Sequence, residues 1–182
     1  VAGNSANEYI DNISLGAISR TSGNDNGYFY YTGATANLGQ GFTYNITFSS
    51  GFPAGVTPNA QRFVIFIDYN QDGDFTDAGE SVVKKTNNTA RSFIVPTTAL
   101  LGETRMRVVM RKGTTNGVPC GFNYSGEFED YKVLISTVPG LVPAVNENFD
   151  EDKLHVYPNP ANNFINIVYD GITVGRSKIF VY

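Results

Sequence analysis

Thirteen consecutive residues, Asp68-Tyr-Asn-Gln-Asp-Gly-Asp-Phe-Thr-Asp-Ala-Gly-Glu80, constrain this chain more than any other stretch. Four aspartates and one glutamate in so short a run repel one another unless a cation sits among them. Side-chain oxygens at Asp68, Asn70 and Asp72 alternate, and Gly73 permits the tight turn that lets them converge. Such a wrap suits a hard cation such as Ca²⁺, which takes six to eight oxygens at roughly 2.3–2.6 Å. With no His or Cys in the stretch, Ca²⁺ is favoured over a softer metal. The EF-hand spacing fits as far as Gly73 and then fails by one residue. Its last acidic ligand would fall on Gly79, whereas the available carboxylate is Glu80. The preceding Arg62-Phe-Val-Ile-Phe-Ile67 reads as a buried strand rather than a helix. The stretch is therefore read as a calcium loop in a strand connection. Its expected ligands are the side chains of Asp68, Asn70, Asp72 and Glu80, with Asp74 contributing its carbonyl or carboxylate. Asp77 is either a ligand or a cap for the following turn, and Phe75 is expected to tuck beneath the loop as an apolar anchor. The alternative is an acidic turn without metal, because Asp, Asn and Gly are ordinary turn residues.

Around this loop the chain alternates with the period of strands. Tyr9-Ile-Asp-Asn-Ile-Ser-Leu15, Thr43-Tyr-Asn-Ile-Thr-Phe48, Arg91-Ser-Phe-Ile-Val95, Thr104-Arg-Met-Arg-Val-Val-Met110 and Phe128-Glu-Asp-Tyr-Lys-Val-Leu-Ile135 carry apolar residues on one face. Gly27-Tyr-Phe-Tyr-Tyr-Thr32 forms a short aromatic strand or loop, and Ser81-Val-Val-Lys84 a hairpin return. Residues 1–6 read as a frayed entry, and 112–125 as a long loop. No convincing helix interrupts the series. About eight strands without helices predict an all-β fold, a jelly-roll-like β-sandwich.

Composition narrows the class further. Of 182 residues, 41% are apolar, enough for a buried core, and only 16% are charged. The abundance of Gly, Tyr and Phe fits a turn-rich extracellular β protein. A net charge of −4 argues against a nucleic-acid partner. The single cysteine, Cys120, cannot form an internal disulfide. No apolar run reaches the length of a membrane span.

Glu127, Glu129 and Asp130 make a second carboxylate group. Alternation puts Glu127 and Glu129 on one face, about 7 Å apart. Two carboxylates so placed could act as acid and base on a glycosidic bond. Arg105 and Arg107 offer neutralising partners, which favours a structural ion-pair network or a contribution to the cation site. Cys120 has no base in view, and the lone His155 has no second histidine beside it. No nucleophile-elbow, zinc-protease or phosphate-loop pattern occurs, so no enzyme activity is expected. Tyr28, Tyr30 and Tyr31, with Phe122 and Tyr124 in the long loop, are the candidate ligand-binding residues. Exposed Tyr rings offer apolar area with a polar tip to sugar faces or extended peptides.

The chain changes character after residue 137, where Pro139, Gly140, Pro143 and an acidic run read as a linker. The expected organisation is a β-sandwich over 1–137, a linker over 138–152, and the first strands of a small second β-sandwich over 153–182.

Two family resemblances rest on these residues. Tyr9-Ile10 through Leu15-Gly16, the 68–80 loop, Thr104-Arg-Met-Arg107 and Gly126-Glu-Phe-Glu-Asp-Tyr131 together resemble the GEVED domain, a β-sandwich module of secreted Bacteroidetes proteins. Phe128 stands where the family's Gly-Glu-Val-Glu-Asp motif has Val. Val156-Tyr-Pro-Asn-Pro-Ala161 followed by Phe164-Ile-Asn-Ile167 resembles the start of the C-terminal sorting domain read by the type IX secretion machinery. The resemblances imply a secreted or cell-surface location beside a catalytic domain of a larger parent protein. The function expected on this basis is a noncatalytic, calcium-stabilised accessory module that attaches its parent to an extracellular polysaccharide. The alternatives are a module for collagen-like or other fibrous protein, and a spacer or adhesin domain without its own ligand.

Overall fold

The computed structural model describes residues 2–87, 89–139, 154–157 and 166–169, with the side chains of 122–124, 154–157 and 166–169 outside that description. The chain divides into two compact units, Val1–Pro143 and Ala144–Tyr182. In the first, ten strands follow one another: β1 (Ala2–Asn4), β2 (Tyr9–Leu15), β3 (Ile18–Thr21), β4 (Tyr28–Gly39), β5 (Thr43–Gly51), β6 (Gln61–Ile67), β7 (Ser81–Thr86), β8 (Thr89–Ile94), β9 (Gly102–Lys112) and β10 (Phe122–Ser136). The larger sheet runs β1-β10-β9-β6-β7, and β4 also pairs with β10. The smaller runs β3-β2-β5-β8. The fold is an all-β sandwich, as the alternation predicts.

The core lies between the sheets. Ile10, Ile13 and Leu15 of β2 and Ile46 and Phe48 of β5 meet Phe63, Ile65 and Ile67 of β6, Met106, Val108 and Met110 of β9, and Tyr131, Val133 and Ile135 of β10. At roughly 1.5–3 kcal/mol for each large apolar side chain withdrawn from water, this layer dominates the stability of the unit. Strand β6 is buried on both faces, because Val64 and Phe66 join Phe75, Val109 and Phe128 in a second apolar cluster. That explains why β6 reads as a continuous apolar run rather than an alternating one.

Three elements depart from the expectations. Ala2–Asn4 is no frayed entry but a strand parallel to the start of β10, in register Ala2↔Phe122. Ile18–Thr21, which carries no alternation signal of its own, is an edge strand held by β2. The aromatic segment is twelve residues of strand, β4, running parallel to β10 from Tyr28↔Phe128 to Gly39↔Ser136. One edge of β10 is thus shared by two strands, β1 first and then β4.

In the second unit, β11 (Leu154–Tyr157) and β12 (Asn166–Tyr169) pair antiparallel. The rest of the expected linker and C-terminal sorting domain lies outside the described residues, save Val138 and Pro139. No helix of the described residues is long and apolar enough to cross a membrane.

Candidate functional site

The acidic loop leaves the end of β6 and returns into β7. It is tied to the larger sheet from beneath. Phe75 is buried against Phe66, their ring centroids 6.2 Å apart, and the Arg107 guanidinium lies 4.8 Å from the Phe75 ring centre. The anchoring expected of Phe75 is therefore present. Within the loop the carboxylates hold the backbone in successive turns. Asp68 Oδ2 accepts the Gly73 amide at 3.1 Å, Asp72 Oδ1 the Asp74 amide at 3.0 Å, and Asp74 Oδ1 the Thr76 amide at 2.7 Å. Gly73 itself sits at φ +91°, the conformation the turn demands.

Asp72, Asp74 and Asp77 bring one carboxylate oxygen each to within 4.8 Å of one another, an arrangement that could hold a metal ion. The Asn70 amide nitrogen donates to both Asp72 and Asp77 at 2.9 Å, tying their carboxylates together. Asp68 is 5% exposed, and its second oxygen, Oδ1, is buried with no hydrogen-bond partner among the described residues. The group of three converging carboxylates does not include Asp68. Glu80 is also expected as a ligand, and it is buried. Its two oxygens accept the Tyr69 amide at 3.1 Å and the Asp77 amide at 3.2 Å, bracing the loop where its ends meet. Burial raises the Glu80 carboxyl against the pull of those amides. Asp77, left open by the sequence, is the one that joins the carboxylate cluster.

The second acidic group lies on β10, with side chains alternating between the two faces of the sheet. Asp130 points outward, where Arg107 meets it through Nε and Nη2 and Tyr28 donates its hydroxyl at 3.0 Å. Glu127 and Glu129 point into the sandwich and tie it to the smaller sheet. Glu127 accepts the amides of Ile10 and Asp25, each at 2.8 Å. Glu129 receives the Tyr131 hydroxyl and Arg20 Nη1, the latter at 2.7 Å. Arg20 reaches it from β3 and also pairs with Asp25 at 2.6 Å. Both glutamates are fully buried. Burial, the largest influence, pushes the Glu129 carboxyl up to about 7 against the donors around it. Sequence reasoning named Arg105 and Arg107 as partners and missed Arg20, which nothing in the local pattern marks.

Among the aromatic candidates, Tyr28 serves Asp130 and packs on the outer apolar cluster. Tyr31 packs on Tyr131, centroids 5.7 Å apart. Tyr30 differs: its ring lies 5.1 Å below the half-exposed Arg105 guanidinium, at a cleft of about 380 Å³ beside the acidic loop. The side chains of Phe122 and Tyr124 lie outside the described residues. Cys120 is free and exposed.

Both acidic groups fall in one stretch, strands β6 to β10, and the sequence of that stretch decides the likeness. Residues 62–134 match the family model of the GEVED domain. The GEVED match takes in the acidic loop, Arg105, Arg107 and the Gly126–Asp130 motif, but leaves Arg20 and Tyr30 outside it. No curated protein matches the chain.

Proposed function

We propose that the first unit is a noncatalytic, calcium-stabilised accessory module that attaches a larger secreted protein to an extracellular polysaccharide. The observation that carries the calcium reading is Asp68 Oδ1, a buried carboxylate oxygen without a donor among the described residues, at the entry of a loop that gathers three further carboxylates. A buried charge left unpaired is costly, and a divalent ion removes that cost. Asp68, Asn70, Asp72, Asp74 and Asp77 supply the hard oxygen donors that suit Ca²⁺, and Glu80 keeps the loop closed around them. The ion's contribution is cohesion: it fixes the loop and, through Phe75, the outer face of the larger sheet.

The noncatalytic reading is supported by the employment of Glu127 and Glu129. Their oxygens are taken up by Ile10, Asp25, Arg20 and Tyr131 inside the sandwich, out of reach of any substrate. Secretion and cell-surface location, with sorting through the full C-terminal domain, belong to the same proposal and rest on the resemblance of the 153–182 segment.

Calorimetry of the metal-stripped chain with CaCl₂ tests the first half. Uptake of one ion is expected, with a stabilisation of about 2.7 kcal/mol at a hundredfold excess over Kd. Absence of uptake would falsify the calcium reading. Co-sedimentation with insoluble polysaccharides and with collagen fibres tests the second half. Retention on fibres alone would make it a protein-binding module. Calcium-dependent melting without retention on either would leave a spacer.

A further inference from the structure

The geometry points to the cleft between Tyr30, Arg105, Glu103 and Gln71 as the ligand site, shaped for the hydroxyls of a neutral glycan. This inference rests on the polysaccharide reading above and assigns it a place and a chemical class. The cleft lies on the outer face of the larger sheet. Tyr30 of β4 and Arg105 of β9 form one side, and Gln71 of the acidic loop forms the other, with Phe75 and Asp68 also lining it. Its volume of about 380 Å³ accommodates one or two sugar rings.

Hydrogen-bonding capacity left over on its walls sets the chemistry. Besides its stacking on Tyr30, the Arg105 guanidinium makes a 3.7 Å approach to Asp130, whose oxygens are already served by Arg107 and Tyr28, and no hydrogen bond among the described residues. Most of its donors are therefore directed to solvent. Gln71 spends its amide hydrogens on the carbonyls of Leu100 and Leu101, at 2.9 and 3.3 Å, which fixes the side chain and leaves its Oε1 as an acceptor. Glu103 is held by Lys132 at 3.0 Å through one oxygen and retains the other. Tyr30 contributes ring area, and its hydroxyl lies within electrostatic reach of Lys132.

A donor fork and acceptors beside an aromatic ring match groups that donate and accept at once, as sugar hydroxyls do. A polyanion is disfavoured by Glu103 and the acidic loop next to it, and a lysine-rich peptide by Arg105 on its wall. Because Gln71 belongs to the acidic loop, calcium that orders the loop also orders one wall of the cleft. Ligand and calcium are then coupled, and each strengthens the other's binding by the same factor.

Affinity electrophoresis of the full chain through gels containing galactomannan, xylan or mixed-linkage β-glucan tests this, with alginate and polylysine as charged controls. Retardation by a neutral glycan is expected with calcium and is weakened by chelator. Tyr30→Ala and Arg105→Gln should each weaken it at least tenfold with unchanged melting and unchanged calcium uptake. Arg105→Lys should restore part of the loss. Retardation that neither substitution alters places the ligand elsewhere: the cleft assignment then fails while the polysaccharide reading stands. Retardation by alginate or polylysine alone refutes the chemical class. No retardation by any polymer, with calcium taken up, overturns both this inference and the polysaccharide reading and spares the calcium site.

Discussion

Arg107 grips Asp130 through two nitrogens, each 2.7 Å from a different carboxylate oxygen, on neighbouring strands of the larger sheet. The same guanidinium lies over Phe75 of the acidic loop and donates to the Pro119 carbonyl at 2.9 Å. One ion pair thus joins the motif on β10, the acidic loop, and the loop before β10. Both partners are buried, and a bidentate guanidinium–carboxylate geometry is among the stronger polar contacts available.

Removing one partner should cost far more than removing both. Asp130→Ala leaves Arg107 and the Tyr28 hydroxyl without their acceptor and should lower stability by about 3–5 kcal/mol. The double substitution Arg107→Met with Asp130→Leu should recover much of that loss, since an apolar pair of similar volume needs no desolvation. Urea denaturation of the two variants and the parent measures this. Equal losses in single and double variants would show that packing, not uncompensated charge, governs the position.

Glu129 should make stability fall as pH rises towards neutrality. Its folded-state value of about 7 lies above the ordinary 4.5, so between these limits the folded chain keeps a proton that the unfolded chain has released. Stability is then highest below about pH 4.5 as far as this group is concerned, declines through the window, and levels off above pH 7. The whole effect is on the order of 3 kcal/mol at 1.36 kcal/mol per pH unit. Denaturation at pH 5, 6, 7 and 8 should give a steeper decline for the parent than for Glu129→Gln. Parallel curves would remove Glu129 as the cause.

Phe75 should matter to both the fold and the ion. It is 5% exposed, and truncation to Ala in a site of this kind costs about 3–5 kcal/mol. Because the ring is also what fastens the loop to the sheet, Phe75→Ala should weaken calcium binding although it removes no ligand. Phe75→Leu should retain most of both. Titration calorimetry beside thermal melting separates the two effects, and calcium affinity unchanged in Phe75→Ala would argue that the loop holds its shape alone.

Two glycines at positive φ should respond differently to alanine. At Gly126, φ is +138° and a Cβ would lie 2.1 Å from the Met110 carbonyl oxygen, so backbone must move. At Gly73, φ is +91° with nothing within 4 Å of the same atom. Gly73→Ala should cost about 1–2 kcal/mol of conformational strain. Gly126→Ala should cost more than that, since it adds a backbone clash and displaces Glu127 beside it. A ranking in the opposite order, read from urea midpoints, would contradict the close approach.

Much of this architecture was legible before any coordinates. Strand periodicity is a local property: Met106 and Val108 face the core while Arg107 faces away because successive residues in a strand point to opposite sides. The acidic loop was equally readable, since its oxygens, its Gly73 and its Phe75 lie within one turn-forming stretch. Edge strands escaped notice. Ala2–Asn4 and Ile18–Thr21 are too short to show a period, and only the strands beside them make them strands.

What the amino-acid order determined, then, is the set of elements and the acidic wrap, because alternation and turn chemistry act between near neighbours. Tertiary structure alone decided the partners. Arg20 meets Glu129 across 109 residues of chain, and Tyr28 is drawn to Asp130 across 102. It also left Tyr30 facing a cleft while Tyr31 packs on Tyr131, and set both Glu80 oxygens on backbone amides of the loop. The physical reason is that a side chain's partner is whatever the packing of the sheets brings within about 3 Å of it.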